Sequence, residues 1–97
     1  MAKEIETRKK AIQELTSRGW LTWYPAKVRF KQNDIFGIID LLALKRGKMR
    51  YIQLTTSSNV ARQRKKILDL FKKKKVKLLV EIWVWLKKEK RFKTEIV

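Results

Sequence analysis

The sequence predicts an α/β protein in which a mixed sheet is flanked by helices. Two segments, 4–18 and 60–75, carry apolar residues at helical spacing. Short runs rich in aliphatic, β-branched and aromatic residues are typical of strands. The predicted strands are 20–30, 37–45, 49–55 and 78–86, and 91–97 can form a further edge strand. No repeat or linker divides the 97 residues, so we expect one domain over 1–97 with the order αβββαβ.

The first helix is predicted from one apolar stripe. Its members are Ile5, Ala11, Ile12 and Leu15. Gly19 is a typical helix stop. In the strand composition of 20–30, Pro25 marks a break, a bulge or an edge position.

The next two strands are predicted to form a hairpin. "GIIDLLALK" is a near-continuous apolar run, as expected of a strand buried on both faces, and "RGK" at 46–48 is a turn signal. A turn of these three residues places Asp40 roughly opposite Leu54. If register and bulges allow, Asp40, Gln53 and Thr55 then converge on one oxygen-rich spot.

The second helix is predicted to connect two parallel strands. Ser57, Ser58 and Asn59 are candidate N-caps. The apolar stripe of this helix contains Val60, Ile67, Leu70 and Phe71. A strand, a helix and a second strand in succession normally give a parallel pair. We therefore expect 78–86 to lie parallel to 49–55.

The charge of the chain predicts a polyanionic partner. With 26 basic and 9 acidic residues, the formal net charge is +17. Such an imbalance makes a folded protein repel itself, so nucleic acid is the first expectation and an anionic membrane surface the second. A solvated basic surface without a partner is the remaining alternative.

The composition also excludes several kinds of chemistry. The chain has no Cys and no His, which excludes disulfides, thiolate or imidazole zinc sites, and catalysis by either residue. No apolar stretch approaches the roughly 18 residues of a membrane span. The absence of Cys fits a reducing compartment, and we expect the cytoplasm, or the host cytoplasm for a viral protein.

Basic residues are concentrated in the second helix. Nine Lys or Arg residues and one acid, Asp69, lie between Arg62 and Lys77. Phosphate contact is favoured over a merely solvated helix face. The predicted DNA-binding residues are Arg62, Arg64, Lys65, Lys66, Lys72, Lys73, Lys74 and Lys75.

Asp40 is the most informative residue, because it lies inside an apolar run. Burying an unpaired carboxylate costs several kcal/mol. Either Asp40 lies at a strand end and pairs with a Lys or Arg, or it binds a divalent cation such as Mg²⁺. The sequence leaves both explanations open.

"NDIFGIIDLLAL" (33–44), "YIQLTTSSN" (51–59) and the basic helix behind them resemble the PD-(D/E)XK nuclease superfamily, most closely its archaeal Holliday-junction-resolvase-like and viral branch. The resemblance implies a restriction-endonuclease-like core that cleaves DNA with Mg²⁺ or Mn²⁺, commonly as a homodimer. By position, Asp40 and Gln53 would bind the metal. Thr55 stands where the family has the Lys that helps activate the attacking water.

Two positions depart from the family motif. Gln53 offers a neutral oxygen in place of a carboxylate, as do variants in active branches, so metal affinity should fall. Thr55 supplies no cation, and a basic residue of the following helix would have to replace it. The candidates are Arg62, Lys65 and Lys66.

Two further carboxylates are candidates for the same site. The family often has a Glu in its first helix. Here Glu4 shares the apolar stripe, whereas Glu6 points away by helical angle, and Arg8 occupies the position nearer to the family pattern. An ordinary first-turn Glu, favoured by the helix dipole, explains Glu4 equally well. Asp34, in the loop before the second strand, is either a metal ligand or a plain turn residue.

The expected function is therefore metal-dependent endonucleolytic cleavage of DNA, with branched or junction DNA as a candidate substrate. The alternative is a non-catalytic DNA- or RNA-binding module on a degenerate nuclease fold. The missing Lys at Thr55 is the feature that keeps this alternative open.

Overall fold

The computed structural model describes residues 2–24, 36 and 38–97, with 2–5 described by their backbone alone. Seven regular elements follow one another within these residues. They are helix α1 (Ala2–Ser17), strands β1 (Leu21–Trp23), β2 (Leu41–Lys45) and β3 (Lys48–Thr55), helix α2 (Val60–Lys74), and strands β4 (Val80–Leu86) and β5 (Arg91–Ile96). Neither described helix is long and apolar enough to cross a membrane.

The five strands form one mixed sheet in the order β1-β2-β3-β4-β5. β3 and β4 are parallel, and every other neighbouring pair is antiparallel. The α/β class, the parallel crossover through α2 and the final edge strand are thus confirmed. The first strand is shorter than predicted, with three residues, and Pro25 to Phe30 lie outside the described residues.

The hairpin between β2 and β3 corrects the predicted register. Its turn has two residues, Arg46 and Gly47, with Lys45 paired directly to Lys48. Both turn residues have positive φ, 51° and 80°, as a type I′ turn requires. The predicted three-residue turn over 46–48 is therefore wrong, and the register shifts by one residue. Leu41 pairs with Ile52, and the Asp40 N–H also donates to Ile52 O, so the regular pairing ends at Leu41 and Asp40 does not lie opposite Leu54 in a continued ladder.

Helix α1 ends as the position of Gly19 predicts. Gly19 has a φ of 88°, and its N–H donates to Thr16 O at 3.0 Å. The N–H of Trp20 donates to Leu15 O, also at 3.0 Å. These two bonds form a Schellman motif, which satisfies carbonyl groups left unpaired at the helix end. The chain then reverses into β1.

Each helix covers one face of the sheet. The core on the α1 side is formed by Ala11, Leu15, Leu41, Ala43, Ile52, Trp83 and Phe92. The core on the α2 side is formed by Ile38, Ile39, Ile67, Val80, Ile82 and Val84. Because side chains alternate along a strand, Ile52 points towards α1, whereas Gln53 and Thr55 point towards α2. This alternation decides which face carries the candidate site.

The link between β3 and α2 is a short 3₁₀ turn, Ser57–Asn59. Asn59 is the N-cap of α2, as predicted, but its side chain makes no capping hydrogen bond. The hydroxyls of Thr56 and Ser58 lie 3.1 Å apart. Helix α2 therefore begins in the chain shortly after β3 ends.

A partly buried ion pair lies on the α1 side of the sheet. Arg50 Nε donates to Glu81 Oε2 at 2.7 Å, and Trp83 Nε1 donates to Glu81 Oε1 at 3.1 Å. The Arg50 guanidinium also lies 5.0 Å from the ring centre of Trp20. Burial raises the pKa of the Glu81 carboxyl, but the bonds from Arg50 and Trp83 and the charge of Arg50 outweigh it, so the pKa lies below its usual value.

Replacing Glu81 by Gln should destabilise the fold at neutral pH by about 1–3 kcal/mol, because Arg50 loses its charged partner. A carboxyl whose pKa is lowered on folding stabilises above its unfolded pKa and loses that contribution as pH falls through the folded value. The difference between parent and Glu81→Gln should therefore shrink below about pH 4. Denaturant unfolding at a series of pH values measures this difference in the free energy of unfolding.

Glu89→Gln is the matched control for that measurement. Glu89 pairs with Arg91 in the open, where the two side chains are 54% and 61% exposed. Surface pairs of this kind contribute about 0–1 kcal/mol. If Glu81→Gln is no more destabilising than Glu89→Gln, the Glu81 pair adds nothing beyond a surface contact.

Candidate active site and nucleic-acid interface

The structure brings Asp40 and Gln53 into contact where β2 begins beside β3. Asp40 Oδ2 accepts hydrogen bonds from Gln53 Nε2 at 3.0 Å and from the backbone N–H of Leu54 at 2.8 Å. The Asp40 backbone N–H donates to Ile52 O at 2.9 Å, although Ile52 is the partner of Leu41, so the regular ladder is interrupted at Asp40. The carboxylate is thus fixed by the neighbouring strand, through one side chain and one backbone group.

Gln53 is a buried polar residue, with 6% of its surface exposed. Its amide nitrogen donates to Asp40 and, at 3.3 Å, to Leu54 O. Among the described residues, its Oε1 has no hydrogen-bond partner. Leaving a buried acceptor unpaired costs about 1–3 kcal/mol. The amide oxygen of Gln53 therefore needs a donor or a cation that the described residues do not supply.

The residues of this site fit one divalent cation held by few protein ligands. A carboxylate oxygen of Asp40 and Oε1 of Gln53 are the hard donors that Mg²⁺ takes. In the structure the side-chain amide of Gln53 points its nitrogen towards Asp40. The amide would have to rotate before its oxygen could bind a cation. A carboxylate and an amide oxygen repel each other unless a cation lies between them. The described residues contain no group of three acidic, His or Cys side chains that could hold a metal. Water and substrate phosphate would therefore have to complete the shell.

Thr55 lies two residues beyond Gln53 on the same strand and is half-buried. It pairs with Val84 of β4. Its hydroxyl offers a donor and an acceptor but no positive charge. The three cations proposed to replace the motif Lys are exposed on the helix that follows. They are Arg62, Lys65 and Lys66.

The two remaining candidate carboxylates stay predictions. Asp34 lies outside the described residues. Glu4 belongs to the first turns of α1, where only the backbone is described. Further along α1, Ala11 and Leu15 pack on the face of the sheet opposite to Gln53.

Helix α2 presents most of its predicted DNA contacts to solvent. The exposed ones are Arg62, Lys65, Lys66, Lys72, Lys73, Lys74 and Lys75. Lys72, Lys73 and Lys74 form the last turn of the helix, where the helix dipole also favours cations. These exposed cations are thus available to bind phosphates, although the helix dipole also explains the three in the last turn.

Arg64 differs from the other basic residues of α2. Its guanidinium makes two hydrogen bonds to Glu95 of β5, at 2.7 and 2.8 Å. The bond from Arg64 lowers the pKa of the Glu95 carboxyl. Arg64 therefore ties α2 to the edge strand, a contact that helical periodicity alone does not reveal.

The sequence reasoning missed the backbone N–H of Leu54 as a partner of Asp40. The register of the hairpin decides this contact, and the sequence contains the signal for that register. Arg46-Gly47 between two strands fits a two-residue turn, because Gly readily takes positive φ. Counting the hairpin from that turn pairs Leu41 with Ile52, so Asp40 lies where the regular pairing ends, beside Gln53 and Leu54.

No protein-family model matches the chain, and comparisons with curated proteins and with solved structures give no significant match.

Proposed function

We propose that the chain is a metal-dependent DNA endonuclease, with branched or junction DNA as the first substrates to test. The contact between Asp40 and Gln53 carries the proposal. It joins a carboxylate to a buried amide whose oxygen has no partner among the described residues, at positions where the nuclease family has its metal ligands.

The fold and the charge support the same proposal. The order of the described elements and the parallel pairing of β3 with β4 accord with the restriction-endonuclease-like core that the sequence resembles. The net charge of +17 and the exposed cations of α2 suit a polyanion. A homodimer would suit a two-fold symmetric junction.

In this proposal each residue of the site has a defined task. Asp40 would hold the cation through a carboxylate oxygen, while the Leu54 N–H fixes its orientation. Gln53 would turn Oε1 towards the cation and thereby satisfy its unpaired acceptor. The bound cation would lower the pKa of a water molecule and stabilise the leaving oxygen. The cations of α2 would hold the DNA by its phosphates.

A non-catalytic DNA-binding module is the second candidate. The observation that favours it is the direction of the Gln53 amide, whose N–H donates to Asp40. Two donors already reach Asp40 Oδ2, so the carboxylate is stabilised without a metal. Thr55 adds no charge to the site. Such a domain would keep the fold and the basic surface and lose the chemistry.

Restoring the family charges separates the two candidates. In the double variant Gln53→Glu and Thr55→Lys, a second carboxylate should tighten Mg²⁺ binding and an ammonium should lie beside the attacking water. We expect faster cleavage than in the parent, by about tenfold or more. The assay compares branched, duplex and single-stranded DNA with Mg²⁺ or Mn²⁺.

The single variants serve as controls in that assay. If the parent cleaves well and Thr55→Lys slows it, a cation of α2 already acts there, and Arg62, Lys65 and Lys66 are substituted next. If neither parent nor double variant cleaves any DNA while binding stays tight, the endonuclease proposal fails and the binding module remains.

A further inference from the structure

Part of the sheet face on the α2 side is left open by the helix. Two cross-strand rows lie there, Leu21 with Leu44 and Met49, and Trp23 with Leu42 and Tyr51. Four of these side chains are exposed apolar groups. We call them the open strip: Leu21 (69% exposed), Trp23 (56%), Leu44 (37%) and Met49 (41%).

The open strip lies next to the candidate active site. Trp23 shares its cross-strand row with Tyr51, and Gln53 lies two residues beyond Tyr51 on β3. Residues two apart on a strand share a face, so Trp23 projects from the same side of the sheet as Gln53, whose Nε2 donates to Asp40. Two strand spacings and a two-residue step separate the Cα atoms of Trp23 and Gln53 by roughly 12 Å. A nucleic-acid strand with a phosphate at Asp40 would therefore have its neighbouring bases within reach of Trp23.

We propose that the open strip binds unpaired bases of a nucleic-acid strand, with the Trp23 indole as the stacking surface. The proposal rests on the function proposed above and adds to it, because it assigns a single-stranded or locally unpaired substrate to the same site. Stacking of one base on an aromatic side chain is worth about 1–3 kcal/mol and tolerates any base sequence. Bases inside an intact duplex are stacked on each other and do not offer their faces.

The surrounding charges favour a nucleic acid as the occupant. Helix α2, on the same side of the sheet, carries the exposed cations Arg62, Lys65 and Lys66, and the hairpin turn beside the strip adds Arg46. None of the described side chains that β1, β2 and the neighbouring part of β3 turn to this face is a carboxylate, and Asp40 lies just before β2. Apolar surface edged by cations suits a strand with flat bases and anionic phosphates. A second copy of the chain would bring another net charge of +17 towards the same surface.

The test measures binding without catalysis. A labelled single strand of about 12 nucleotides and a duplex of the same length are titrated in chelator, with RNA as a parallel arm. Trp23→Ala should weaken single-strand binding by about 5- to 150-fold and change duplex binding by less than about twofold. Trp23→Phe should retain most of the affinity. Ile96→Ala is the matched control, because Ile96 is also an exposed apolar residue (66%) but lies on the opposite edge strand.

Intrinsic fluorescence gives a second readout. Trp23 is the most exposed of the four tryptophans, whereas Trp83 is 2% exposed. Stacking should quench the parent's fluorescence on addition of the single strand, and Trp23→Phe should lose most of that quenching.

Three results would overturn the assignment. In the first, Trp23→Ala binds the single strand as tightly as the parent does. In the second, Trp23→Ala weakens single-strand and duplex binding equally. In the third, Trp23→Ala dissociates a dimer in sedimentation while single-strand binding is unchanged, so that the strip is a contact between copies. Because chelator removes cleavage from the assay, a failure of the endonuclease proposal leaves this test unaffected.

Discussion

Asp40→Asn should abolish metal-dependent cleavage while leaving DNA binding intact or slightly tighter. A bound cation contributes several kcal/mol to the stabilisation of the transition state, so its loss should slow cleavage by about a thousandfold or more. Binding does not need the carboxylate, and removing one negative charge near phosphate can only help it. Single-turnover cleavage and metal-free binding measure the two effects separately.

Asparagine is the substitution that keeps the site folded. Its side-chain oxygen can still accept from the Leu54 N–H, and its amide can donate to Oε1 of Gln53 once that amide rotates. Alanine would leave both the Leu54 N–H and the Gln53 amide without their present acceptor, at about 1–3 kcal/mol for each buried group.

Asp69→Asn is the control with the same change of charge. Asp69 is exposed on α2, away from the strand pair that holds Asp40. The Asp69→Asn variant should cleave DNA as fast as the parent does. If Asp40→Asn also cleaves like the parent, Asp40 is a structural acid that orders the Leu54 backbone, and the endonuclease proposal loses the residue on which it depends.

DNA affinity should fall by about a thousandfold between 50 and 200 mM salt. This estimate assumes six or more phosphate contacts, each of which releases condensed counterions. The exposed cations of α2 are numerous enough to make these contacts. Changing Lys72, Lys73 and Lys74 together to Gln should lower the slope of log affinity against log salt by up to about 3. Fluorescence anisotropy over a salt series measures the slope.

The turn between β4 and β5 supplies a matched control. Changing Lys87, Lys88 and Lys90 to Gln removes the same charge from exposed positions outside α2. If both triple variants lower the slope equally, the chain binds DNA through its net charge and not through α2. A nearly flat dependence in the parent would contradict an electrostatic interface altogether. Thermal unfolding of each variant separates lost contacts from lost helix-dipole stabilisation.

Much of the fold was predictable because its signals are local. Alternation and apolar runs identify strands, and the helical stripe of Ile67, Leu70 and Phe71 identifies the buried side of α2. Gly19 predicts the end of α1, since a residue at positive φ terminates a helix. Asp40 could be singled out from the sequence because burying an unpaired carboxylate within an apolar run costs several kcal/mol.

The sequence by itself determined that this is a basic α/β chain with a carboxylate inside an apolar run. Only the tertiary structure decided what that carboxylate contacts. The two-residue turn at Arg46 and Gly47 sets the register up to Leu41, and Asp40, where the regular pairing ends, accepts from the N–H of Leu54 and the amide of Gln53. It also decided that Arg64 binds Glu95 and that Trp23 stays exposed on the face of the sheet that carries Gln53. These contacts join residues far apart in the chain, so they follow from strand pairing and helix placement and not from local periodicity.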